Sequence, residues 1–143
     1  MQPADVILIA FLFLQSVHDI QKREIEPVSA ALTAETGVVY ILEGCRSDGL
    51  FSVMAAMIPG ILVLALALIS RGGLGLGDAW IVLIMGLFLK TEKLMMILIL
   101  SSFGSFLYAA GMSLHHKKTA GDEMPFIPFV LAGYILKLCL SVL

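Results

Sequence analysis

The sequence predicts an all-α, polytopic integral membrane protein with about six transmembrane helices, and three observations carry that prediction. Hydrophobic residues make up 59% of the 143 and charged residues 14%, with a mean hydropathy of +1.00, outside the range of soluble domains. The apolar residues fall into long runs, most near the roughly 20 residues a helix needs to cross the bilayer core. Short polar stretches separate the runs and leave no room for a soluble domain, so residues 1–143 read as one transmembrane domain.

The first span runs from about Ala4 to Ile20. It has no basic residues before its apolar stretch, no Ala-x-Ala-like cleavage site, and an acid, Asp5, at its start, so it reads as a retained span rather than a cleaved leader. Pro27 suits the first turn of a second helix, to Leu42, because its missing N–H is no loss there. The stretch EGCRSDG then makes a polar turn. A third span covers Leu50 to Ser70, and a fourth follows the glycine-rich GGLGLG and runs from Asp78 to about Leu89. KTEK turns tightly into a fifth from Leu94 to about Leu114, and after HHKKTAGDEMP a sixth runs from about Phe126 to the end.

Basic residues in short loops set orientation. Lys22, Arg23, Arg71, Lys117 and Lys118 lie in loops one, three and five, against Arg46, Lys90 and Lys93 on the other side, with Lys137 inside the last span. Five against three puts loops one, three and five in the cytoplasm and both termini outside. A net charge of −2 gives no reason to expect nucleic acid as a partner. Cys45 and Cys139 are too few for a metal site, and His115 and His116, adjacent on a helix, point in different directions, so neither metal nor cofactor is expected.

Counting passes places Asp19, at the end of the first span, and Asp78, at the start of the fourth, on the same cytoplasmic side. Asp5, Glu43, Asp48 and Glu92 fall on the opposite side as ordinary loop acids. Asp78 alone reads equally well as a helix N-cap. Asp19 sits near a helix C-terminus, where the dipole disfavours a carboxylate by roughly 0.3–1 kcal/mol, and ionisable residues in membrane segments are costly and default to function. On this reasoning a proton shared by the pair resides mainly on Asp19. Gly75 and Gly77 have no Cβ and can take positive φ, letting another segment approach Asp78. Non-helical backbone at membrane depth occurs only where protein buries it or it lines a wet cavity, which describes an active-site cleft.

Gly-Leu-Gly-Asp, Gly75 to Asp78, resembles the Gly-x-Gly-Asp motif of membrane aspartyl proteases. DIQKREIEP, Asp19 to Pro27, is similar to the segment after the first catalytic aspartate of the type IV prepilin peptidases, and MPFIPFVLAG, Met124 to Gly133, to the Pro-Phe-x-Pro segment that opens their last span. Here Glu26 separates Ile25 from Pro27, where the family pattern has Ile-Pro. The resemblance implies Asp19 and Asp78 as the catalytic pair and Gly75 and Gly77 as the active-site loop. Arg23, Pro125, Phe126 and Pro128 become substrate-side or structural residues. It implies the short form without an N-methyltransferase domain, as in tight-adherence pilus systems or archaeal preflagellin-cleaving relatives. The substrate it implies is a prepilin with a basic cytoplasmic leader, a glycine before the cut, and an apolar helix in the lipid bilayer.

The residues support that chemistry on their own. Two close carboxylates share one proton; the ionised member activates water and the protonated member donates to the developing oxyanion. A small proton-coupled transporter or channel subunit, with Asp19 and Asp78 as carriers and the glycine loop as a broken-helix site, is the alternative, and a non-catalytic assembly protein with purely structural acids is a third reading.

Overall fold

The computed structural model describes residues 2–22, 24–44, 49–69, 75–115 and 125–140. These form six helices: α1 Pro3–Lys22, α2 Pro27–Leu42, α3 Gly49–Ile69, α4 Leu76–Phe88, α5 Thr91–His115 and α6 Ile127–Leu140. The chain is thus an all-α membrane protein. α1, α3 and α5 are long and apolar enough to cross a membrane, whereas α2, α4 and α6 are apolar but shorter.

Each expected span has its helix, α2 with the expected bounds and the others with ends shifted by up to three residues. Thr91, expected in a turn, already belongs to α5, so the α4–α5 turn is only Leu89 and Lys90. α4 begins at Leu76 with Gly75 as its N-cap residue, so Asp78 sits in the first turn and is not the cap. α2 is capped by Glu26, whose carboxylate accepts from the Ser29 N–H at 2.6 Å, with Pro27 at the first helical position. Hydrogen bonding by Ser29 holds the Glu26 carboxyl below the usual carboxylate range. The cap is therefore fully in place at neutral pH and is released only as the pH falls through that lowered value.

α4 is the buried centre. Ala79, Ile81, Val82, Ile84, Met85, Gly86 and Phe88 of its 13 residues are buried, and the core joins Leu8, Phe11 and Leu12 of α1, Leu94 and Ile97 of α5, and Ile127, Val130 and Tyr134 of α6. α4 packs chiefly on α3 and α2, while α6 lies between α1 and α5. These contacts are close because glycines make them. A Cβ on Gly86 would stand 2.7 Å from the Ala56 carbonyl oxygen of α3, one on Gly60 2.9 Å from the Leu83 backbone nitrogen, and one on Gly37 2.9 Å from the Leu87 Cβ. Small residues that let backbones approach are the usual glue of membrane helices, where lipid removes the hydrophobic drive between them.

Asp5, expected as an ordinary loop acid, is a structural link: it accepts from the Tyr134 hydroxyl of α6 at 2.9 Å and from the Gln2 N–H at 2.7 Å. The outer surface of the bundle carries exposed Phe13, Leu32, Phe51, Ile58, Ile99 and Phe106, as lipid contact requires.

Gly86→Ala is expected to destabilise the protein by about 1–3 kcal/mol, because the added methyl meets backbone rather than a movable side chain. Gly111→Ala, with nothing within 4 Å of its Cβ position, should leave stability unchanged. Thermal unfolding of the two variants in detergent checks the contrast.

Candidate active site

Asp19 lies in the last turn of α1 and Asp78 in the first turn of α4, each half-buried. The fold leaves them within electrostatic range of each other. Counting passes placed both acids on one side, and their proximity is in keeping with that.

Asp19 is held by a segment that α1 alone does not reveal. The N–H of Ile127, at the start of α6, donates to Asp19 Oδ2 at 3.2 Å. The first N–H groups of a helix lack intrahelical partners. In this turn Pro128 has no N–H to offer, and Phe129 and Val130 donate to the Phe126 carbonyl, so Ile127 supplies the free donor. Pro125, Phe126 and Pro128 thus shape the helix start that faces Asp19, and all three are half-buried. The dipole argument that put the shared proton on Asp19 counted only the end of α1. With the opposite end of α6 also facing Asp19, that argument loses its premise.

The two glycines before Asp78 act by size, not by backbone freedom. Gly75 has φ −65° and ψ 121°, Gly77 is helical, and the positive-φ glycines among the described residues are Gly44 and Gly49. The expectation of positive φ at Gly75 and Gly77 is not met, because α4 starts early enough to include Gly77. A Cβ on Gly75 would stand 3.1 Å from Asp78 Oδ2, and one on Gly77 2.8 Å from Ile25 Cδ1 and Cγ1. Gly77 therefore admits the loop that follows Asp19.

That loop is anchored by Gln15, which is fully buried one turn before Asp19. Its Nε2 donates to the Glu26 carbonyl at 3.0 Å and to Ser29 Oγ at 2.9 Å, while its Oε1 accepts from the Glu26 N–H at 3.1 Å. The sequence reading did not single out Gln15, although a glutamine four residues before Asp19 in an apolar run was the available signal. Arg23 lies outside the described residues, as do Gly72 and Gly73 of the glycine-rich stretch.

An apolar groove of about 420 Å³ runs between α2, α3 and α4, lined by Ile25, Pro27, Ala31, Met57, Trp80 and Leu87 among others; it reaches the neighbourhood of Asp78 through Ile25, which meets Gly77. Trp80 is 54% exposed and forms one wall. Among the described residues no three His, Cys, Asp or Glu side chains gather to hold a metal.

An all-α membrane protein with two acids within electrostatic range, one behind a Gly-x-Gly, defines a class that the comparison with known families narrows. The chain matches the type IV leader peptidase family over residues 6–110 and belongs to that family; it is a protease of the leader-peptidase kind. The matched region holds both aspartates, Gly75 and Gly77 and ends before the Pro-Phe-Ile-Pro segment. No curated protein and no solved structure matches the chain significantly.

Gly77→Ala should insert at a normal level, since the clashing Ile25 atoms are the end of a flexible side chain, but lower peptide cleavage by about tenfold or more through a small displacement beside Asp78. Immunoblotting of membranes together with a leader-cleavage assay separates the two effects.

Proposed function

We propose that the chain is an aspartic endopeptidase that removes the leader of type IV prepilins or prepilin-like proteins, with Asp19 and Asp78 as its catalytic acids. The observation that supports this reading is that Asp19 of α1 and Asp78 of α4 lie within electrostatic range of each other, in a chain whose family is that of the type IV leader peptidases. Two carboxylates at short range share one proton. The ionised member takes a proton from water, the resulting hydroxide adds to the scissile carbonyl, and the protonated member donates to the carbonyl oxygen. Collapse of the tetrahedral intermediate with proton transfer to the amine releases leader and mature protein, and the pair returns to its starting state.

The groove supports an apolar substrate segment. It starts beside Ile25 and Trp80, which flank the acid-bearing segments, and continues along α4 to Leu87. A helix that follows the cut would lay its first apolar side chains there. α4, about 20 Å long at 1.5 Å per residue, is shorter than the hydrocarbon core of about 30 Å, which suits an acid recessed below the membrane surface. In this reading the protein is a multi-pass protein of the cell membrane, its acids face the cytoplasm, where a basic leader is retained, and both termini lie outside.

The test uses the full chain in membranes with a substrate bearing a basic leader, a glycine and an apolar helix. Asp19→Asn and Asp78→Asn should each lower the cleavage rate by about 10²–10⁴-fold at normal membrane levels; a rate within tenfold of the parent in either variant overturns the assignment. A bulky side chain in the groove, as in Ala31→Phe, should raise KM for the same substrate while leaving kcat within about twofold, measured by initial rates over a range of substrate concentrations.

A further inference from the structure

We infer that Gln15 is a positioning residue of this protease: through the α1–α2 loop it sets the contact between Ile25 and Gly77 and so the placement of Asp78 relative to Asp19. The inference rests on the reading of Asp19 and Asp78 as the catalytic pair. Gln15 is fully buried in an apolar helix, where an unpaired amide is costly, yet its side chain is satisfied from both atoms. The Glu26 N–H can only donate and the Glu26 carbonyl can only accept, so the amide has one orientation that serves both. Ser29 Oγ takes the second hydrogen of Nε2 and itself donates to the Glu26 carbonyl at 3.2 Å.

The consequence lies one residue away. With the Glu26 backbone fixed on both its N–H and its carbonyl, Ile25 is held against the Cβ-less face of Gly77, the residue before Asp78. Gln15 and Asp19, four residues apart, share one face of α1. One helix thus carries one acid directly and steers the segment that seats the other. Glu26, the residue by which the chain departs from the Ile-Pro pattern, is the residue Gln15 grips.

The test measures kcat and KM in the full-length protein in membranes for Gln15→Leu, Ile25→Ala and the double variant. Gln15→Leu and Ile25→Ala should each lower kcat by about 10- to 100-fold, as sub-ångström to ångström misplacement of reacting groups does; KM should stay within about threefold for Gln15→Leu, whereas Ile25→Ala, which also removes part of the groove wall, should raise it. The double variant should be no worse than the poorer single one, because both act through one contact. A kcat within twofold of the parent in Gln15→Leu, or losses that multiply in the double variant, overturns the proposal. Gln15→Glu, which keeps the acceptor for the Glu26 N–H, is the second variant should Gln15→Leu not accumulate; failure of both to accumulate would show that Gln15 serves the fold alone and would equally overturn it. Asp19→Asn and Asp78→Asn run in parallel separate this outcome from the parent reading. If they keep activity, the catalytic pair is wrong. If they lose it while Gln15→Leu does not, only the positioning role is.

Discussion

The structure depends on backbone-close packing around α4. In lipid, apolar side chains gain little from leaving one apolar surface for another, so helices associate through van der Waals fit and through hydrogen bonds. α4 obtains that fit at three glycine contacts: Gly86 under the Ala56 carbonyl, Gly60 under Leu83, and Gly37 under Leu87 and Phe88. A 13-residue helix with seven buried positions has little freedom to slide or rotate once those contacts form. Asp78, in its first turn, inherits that rigidity, and so its carboxylate has a fixed place to which a second acid can be brought.

The second acid comes by an indirect route. α1 packs chiefly on α6 rather than on α4, and two hydrogen bonds tie α1 to α6, Tyr134 to Asp5 near one end and Ile127 to Asp19 near the other. Two separated ties fix both the register and the rotation of an antiparallel helix pair, where one would leave a pivot. α6 in turn is seated on α5 without a Cβ at Gly133, whose position is 2.6 Å from Ser101 Oγ and 3.1 Å from the Ile97 carbonyl oxygen. Asp19 is thus braced from the α5–α6 side and, through the Gln15-anchored loop, from the α2–α4 side.

Much of this was legible in the sequence, and the reason differs between parts. The six helices follow from long apolar runs with polar punctuation, which is why α2 was placed with both ends right and the other five were displaced by only a few residues. The placing of Asp19 and Asp78 on one side followed from pass counting, because antiparallel neighbours return every second helix end to the same side. The bracing was not legible. Ile127 acts through its backbone N–H, which no side chain advertises. Asp5 looked like a loop acid because only the fold shows Tyr134 opposite it. Gly75 and Gly77 were singled out for backbone freedom, whereas the fold uses their lack of a Cβ, since where α4 begins decides whether φ or size matters.

That last correction changes what the Gly-x-Gly-Asp arrangement means in this chain. Gly75 stands three residues before Asp78, across one turn, so its missing Cβ clears the space that Asp78 Oδ2 occupies. Gly77, adjacent to Asp78 in sequence, faces a different direction, and its missing Cβ clears the space that Ile25 occupies. Leu76 between them is 51% exposed and has neither neighbour to accommodate. The constraint at 75 and 77 with latitude at 76 therefore follows from helical geometry: one glycine makes room for the acid, the other for the loop that carries the rest of the site to it. An apolar chain accepts the low helix propensity of both because any larger residue would fill one of the two spaces on which the placement of the carboxylates depends.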